Sequence, residues 1–121
     1  MKVQSYRDLL VWQRSLQLAK TIYSASSSWP KQEIYGLISQ VRRAAVSVSA
    51  NIVEGQARNA TGEFLQALGY TRGSLAELET LVLLAEDFRY LTSEQSQPIL
   101  QEMGEISRML AALIQSLRSK K

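Results

Sequence analysis

Ile99, Met103, Ile106, Leu110, Leu113 and Leu117 follow one another at steps of four, three, four, three and four. A helix turning once in 3.6 residues gathers such a series into one apolar stripe, whereas a strand, with its period of two, would scatter it over both faces. A helix with one apolar stripe must bury it, so the rest of the chain has to supply the cover.

The same rhythm recurs three times upstream. Leu9, Trp12, Leu16, Ala19 and Tyr23 mark a first helix over about 6–25. Ile34, Ile38, Val41, Ala45, Val48 and Ile52 mark a second over about 31–56. Phe64, Leu68, Thr71, Leu75, Leu78, Val82 and Ala85 mark a third over about 62–89, and the opening series marks a fourth over about 93–118. Helix-end residues agree with these bounds. Ser5 with Asp8 reads as an N-cap pair, the serine run Ser26–Ser28 ends the first helix, and Pro30 opens the second. Gly55 and the polar stretch after it end the second helix, Thr61 reads as the cap of the third, and Thr92 with Gln95 forms a capping box for the fourth. Pro98 falls in early turns, where it is tolerated, and Arg118, Lys120 and Lys121 suit a helix C-terminus. The chain has only six Gly and two Pro, little material for a turn-rich β fold. Four helices with short connections predict an all-α, antiparallel up-down-up-down four-helix bundle, one domain over residues 1–121, with the second and third helices as antiparallel neighbours.

Composition narrows the chemistry. The chain has no Cys and no His, so it lacks thiol nucleophiles, disulfides, the commonest general base and the commonest metal ligand. Glu77 with Glu79, and Glu102 with Glu105, are the carboxylate pairs a metal site would use, but a ferritin-type di-iron site also needs His, and carboxylates on helices usually face solvent. No phosphate-binding glycine loop is present. The expectation is no enzyme: no catalytic residue, no metal site and no cofactor. No apolar run approaches the roughly 20 residues that span a bilayer, and Asp8 and Arg14 interrupt the apolar N-terminal stretch. The chain is therefore expected in the cytoplasm, without a membrane partner.

Net charge is +3, unevenly spread: residues 1–28 carry four basic and one acidic side chain, residues 61–91 two and five. Attraction between segments within the bundle explains this as readily as an anionic partner, and is the plainer reading. Arg42 and Arg43, level with the acidic third helix, are accordingly expected near Glu77 and Glu79.

The stretch from Arg42 to Arg58 has a further peculiarity. Beside the second seam run Gln40, Ala44, Ser47, Asn51 and Glu54, small or polar residues at helical spacing, where a surface helix would carry Lys and Glu. Beside the third seam lie Tyr70, Ser74, Leu81 and Phe88, and Leu83 and Leu84 point elsewhere again. An apolar arc wider than one core needs predicts a second buried surface, so these nine flanking residues are candidates for a homo-oligomer interface.

The segments LLVWQ, WP, YGLISQVRRAAVSVSANIVEG and YTRGSLAELETLVLLAEDFRYL, in that order, give the chain a family resemblance over about residues 6–117. It resembles the 23S ribosomal RNA intervening-sequence proteins, distant relatives of the accessory variability proteins of diversity-generating retroelements. The resemblance implies a four-helix bundle assembled as a ring-like homopentamer, without enzymatic activity. The retroelement relatives bind nucleic acid and contact a reverse transcriptase. Asn51, Glu54 and Gly55 stand where the family has them, whereas Ser49 replaces a proline, so the kink that proline would impose is not expected.

Two functions follow as expectations. One is an oligomeric nucleic-acid-binding accessory factor that contacts RNA or DNA phosphates through Arg7, Arg14, Lys20, Lys31, Arg42, Arg43, Arg58, Lys120 and Lys121. The other is a protein-interaction scaffold, docking a partner such as a reverse transcriptase and no nucleic acid.

Overall fold

The computed structural model describes residues 9–119. Helix α1 spans Leu10–Ser26, a 3-10 turn spans Lys31–Glu33, and α2 spans Leu37–Ala57, α3 Thr61–Asp87 and α4 Ser93–Arg118. Among the described residues there is no strand, and no helix is long and apolar enough to cross a membrane. The helices pack side against side around one apolar core as an antiparallel four-helix bundle. The Ser5–Asp8 cap lies outside the described residues.

The seams of α3 and α4 lie where the sequence places them. Leu68, Thr71, Leu75, Leu78, Val82 and Ala85 are buried along α3, and Ile99, Met103, Ile106 and Leu110 along α4. Near the end of α4 the buried position is Ile114, with Leu113 and Leu117 half-buried beside it, because a straight helix drifts about 20° per heptad from a strict seven-residue repeat. The Thr92–Gln95 capping box is complete: Gln95 N–H donates to Thr92 Oγ1 at 3.1 Å and Thr92 N–H to Gln95 Oε1 at 2.9 Å. Helix α2 runs unbroken through Ser49.

Three expectations need correction. The first concerns the phase of α1. Its buried face is Val11, Ser15, Leu18, Ala19, Ile22 and Ser26, while Leu16 and Tyr23 are exposed. The misleading positions are two serines. Ser15 Oγ donates to Val11 O and Ser26 Oγ to Ile22 O, both at 2.7 Å, so each hydroxyl is satisfied by its own helix and sits in the core.

Second, α2 starts at Leu37 and not near 31, leaving Ile34 outside the seam and 54% exposed. Glu33 holds the break in place. Its Oε1 accepts the Leu37 N–H at 3.0 Å, capping the helix from outside, and its Oε2 accepts the Tyr90 hydroxyl at 2.8 Å. Third, Thr61 is the first residue of α3 and Ala60 its N-cap, with no side-chain cap.

The ends of α2 and α3 close with left-handed residues, Asn59 at φ 58° and Arg89 at φ 66°. After α3, Arg89 N–H donates to Glu86 O and Tyr90 N–H to Ala85 O, each at 2.9 Å, the pairing of a Schellman motif.

Candidate interaction surface

The small-residue flank of α2 meets α3 of the same chain. A Cβ added at Gly55 would lie 2.4 Å from Ala67 Cβ and 3.1 Å from Phe64 Cδ1, so only glycine lets the helices approach this closely. One turn and more towards the middle, Ser74 Oγ donates to Ser47 Oγ at 3.0 Å. Asn51 Nδ2 reaches back to Ser47 O at 2.8 Å and Ser47 Oγ at 3.1 Å, and Thr71 Oγ1 donates to Val48 O at 3.3 Å. Small side chains bring the backbones together and their hydroxyls answer one another across the gap. Of the nine expected interface residues, Ala44 and Leu81 are therefore buried inside the chain, and Ser47, Asn51 and Ser74 are half-buried in this seam. Gln40, Glu54, Tyr70 and Phe88 remain exposed.

The expected cationic contacts do not converge on one patch. Arg7, Lys120 and Lys121 lie outside the described residues. Arg14 joins α1 to α4: its Nε and Nη2 donate to the two oxygens of Glu102, each at 2.6 Å, and Nη2 also donates to Glu105. The hydrogen bonds it donates to these two carboxylates hold the Arg14 guanidinium still more firmly protonated than usual. Glu102 and Glu105, a carboxylate pair of the kind a metal site would use, thus clamp a guanidinium. An open groove of about 700 Å³ runs beside this clamp between α1 and α4, with Lys20, Gln17 and Thr21 on its wall.

Arg42 does not meet Glu77 or Glu79. It turns to α1, where Nε donates to Ser26 Oγ at 2.9 Å and Nη2 to Tyr23 O at 3.2 Å, with the guanidinium 4.6 Å from the Tyr23 ring centre. Arg43, one residue on, points away and is exposed; it shares a shallow groove with Glu77 but forms no ion pair among the described residues. Arg58 pairs with Glu63 at 3.3 Å, both well exposed. Lys20 and Lys31 are exposed and make no ion pair among the described residues.

At the end of the bundle that carries the α1–α2 and α3–α4 connections, Tyr90 lies between Trp29 and Phe88, ring centres 5.9 and 5.7 Å away. The N–H of Leu37, then the Tyr90 hydroxyl, hold the Glu33 carboxyl below the usual carboxylate range, and Glu33 in turn holds the Tyr90 phenol above its own.

What sequence reasoning passed over is the outward side of the two central helices. On α2, away from core and α3, lie Val46, Ala50, Val53 and Ala57; Val46 is 43% exposed. On α3 the outward side carries Gly69, Gly73, Ala76 and Thr80, with Leu83 and Leu84 exposed. Nothing lies within 4 Å of a Cβ built on Gly62, Gly69 or Gly73. The spacing was visible in the sequence, but which arc pointed outward depended on which flank α2 and α3 used against each other.

The chain belongs to a family of all-α bundle proteins: the 23S rRNA-intervening sequence protein family model matches residues 7–112. A crystal structure at 1.70 Å of a protein of unknown function from the S23 ribosomal protein family of Bacteroides thetaiotaomicron is similar throughout. It shares 26% identity with a TM-score of 0.77, and the match covers 87% of this chain and 98% of that one. Among curated proteins, none matches significantly.

Proposed function

We propose that this protein is a non-enzymatic assembly module, a helical bundle that self-associates and acts by presenting the surface of the assembly to a partner. The observation that carries this reading is the outward side of α2 and α3. A helix facing water is normally lined with charge, yet here Val46, Ala50 and Val53 stand on one helix and Gly69, Gly73, Ala76 and Leu83 on the next. Glycine inside a helix costs about 1 kcal/mol relative to alanine, and at Gly69 and Gly73 nothing in the chain requires it. A surface that gives up charge and helix propensity together has the character of one that is covered. Absence of His and Cys supports the non-enzymatic part. The mass by light scattering at micromolar concentration is the test: a multiple of 13.6 kDa supports the reading, five copies being what the resemblance implies, and a single-chain mass overturns it.

A second reading names nucleic acid as the partner. Seven exposed cations, Lys20, Lys31, Arg43, Arg72, Arg89, Arg108 and Arg118, make no ion pair among the described residues. An assembly would repeat each of them around its surface, and phosphate binding sums such contacts. Fluorescence anisotropy of a labelled structured RNA and a DNA duplex, across a salt series, checks this. Affinity falling steeply with salt supports it, and no binding at low salt removes it and leaves a protein partner.

A further inference from the structure

We propose that the start of α2 is a two-state element: Glu33 holds a broken helix start that otherwise closes into one helix running from Lys31.

The break rests on one glycine and one side chain. The residues around it are close to helical. Ile34, next after the 3-10 turn, has φ −61° and ψ −33°, and the N–H groups of Glu33, Ile34 and Gly36 each donate to the carbonyl three residues back. The path departs at Gly36, with φ −111° and ψ −114°. Glu33 folds over the gap, where its Oε1 accepts the Leu37 N–H at 3.0 Å and its Oε2 the Tyr90 hydroxyl at 2.8 Å. A Cβ at position 36 would stand 2.7 Å from that same Oε1. The cap therefore needs glycine beside it.

The broken start leaves groups unmet that a continuous helix would serve. Among the described residues, the Ile38 and Ser39 N–H groups have no backbone acceptor. With 31–36 helical, they would donate to Ile34 O and Tyr35 O, four residues back. Ile34 is exposed although it lies four residues before buried Ile38 and seven before buried Val41. Continuing the helix turns it onto the apolar seam. Tyr35, 95% exposed, is packed against nothing that would hold the turn. Set against these losses are two hydrogen bonds to a carboxylate, which are stronger than bonds between neutral groups. Each arrangement keeps what the other gives up.

The consequence falls on the end of the bundle. In the broken state Ile34 and Tyr35 face water at the end that carries exposed Phe88. In the continuous state Ile34 is withdrawn, and Tyr90 loses its tie to the α1–α2 connection. A partner that engages the Tyr90 hydroxyl favours the continuous state, and one that covers Ile34 favours the broken one.

Backbone chemical shifts and amide exchange by NMR test this. Alanine at position 36 displaces Glu33 from its cap and favours the helix. In Gly36→Ala, helical shifts should run unbroken from Lys31, and the Ile38 and Ser39 amides should become protected. A folded variant whose helix still starts at Leu37, with those two amides unchanged, overturns the proposal. Tyr90→Phe is the second arm. It removes one tie to Glu33 and keeps a ring between Trp29 and Phe88. Relaxation dispersion at residues 34–39 should then report a minor helical state about tenfold more populated than in wild type. Flat profiles at these residues in both chains, or equal populations, overturn the proposal even where Gly36→Ala does not fold.

Discussion

Arg42 Nε donates to Ser26 Oγ at 2.9 Å, and through this bond α2 holds the last turn of α1. The same guanidinium covers the Tyr23 ring and shares the Tyr23 carbonyl with the Ser26 hydroxyl, where the partial negative charge of the helix end favours a cation. Removing it takes away the charged donor at this helix end and leaves the last turn to its own serine and backbone hydrogen bonds. Arg42→Ala should cost about 1 kcal/mol, after allowance for partial exposure, and lower the midpoint by roughly 4 °C. Arg43→Ala should leave the melting curve unchanged. Chemical and thermal denaturation of the two variants side by side checks this, and equal losses would contradict this division of roles. A nucleic-acid test should therefore change Arg43 and leave Arg42 alone, so that lost binding is not lost structure.

Glycines on opposite sides of the central helices should respond oppositely to alanine. At Gly55 the new Cβ would sit 2.4 Å from Ala67 Cβ. Overpacking of a rigid helix contact should cost about 1–3 kcal/mol, more than the helix preference of alanine returns. At Gly69 and Gly73 the Cβ meets nothing, so in the isolated chain each alanine should add up to about 1 kcal/mol. Urea unfolding of the three single variants reads the sign directly.

Arg89 occupies a left-handed position that glycine usually takes. The conformation costs an L-residue roughly 1–2 kcal/mol, and the Schellman bonds at this helix end are made by the backbone. Arg89→Gly should therefore raise stability by about 1 kcal/mol, reduced by glycine's freer unfolded chain. A fall in stability would mean that the side chain makes up for the strain.

The pH dependence has a definite sign. The carboxyls of Glu33 and Glu86 both titrate below the ordinary value near 4.5, Glu33 chiefly through the Leu37 N–H and Glu86 chiefly through the Ser96 hydroxyl at 2.5 Å. A group whose folded pKa is depressed adds stability above its unfolded value and loses it as pH falls through the folded one. Stability should be level above about pH 5 and decline on further acidification. Glu33→Gln should be less stable than wild type near pH 7 and lose less on acidification. Tyr90 works in the opposite sense: its raised phenol pKa keeps its contribution below pH 10 and surrenders it at higher pH. Denaturation midpoints from pH 3 to 8 test the acid limb, and parallel curves for wild type and Glu33→Gln would contradict the assignment.

The residues alone were enough for the number of helices, their order, the seam of α2 from Ile38 onward, those of α3 and most of α4, and the adjacency of α2 and α3. Those features are local: a 3.6-residue rhythm, a Thr92–Gln95 box and a short polar connection do not depend on distant partners. Only the tertiary structure decided the rest. Ser15 and Ser26 took core positions because their own helix satisfies them, and Ile34 left the seam because Glu33 ties the turn to Tyr90. The small flank of α2 went to α3 of the same chain, Arg42 to the end of α1, and Arg14 to two carboxylates of α4. Periodicity establishes that an arc exists, but which neighbour covers it depends on how helices dock. Long side chains such as arginine, with several rotatable bonds, choose among partners that the chain brings near only when folded.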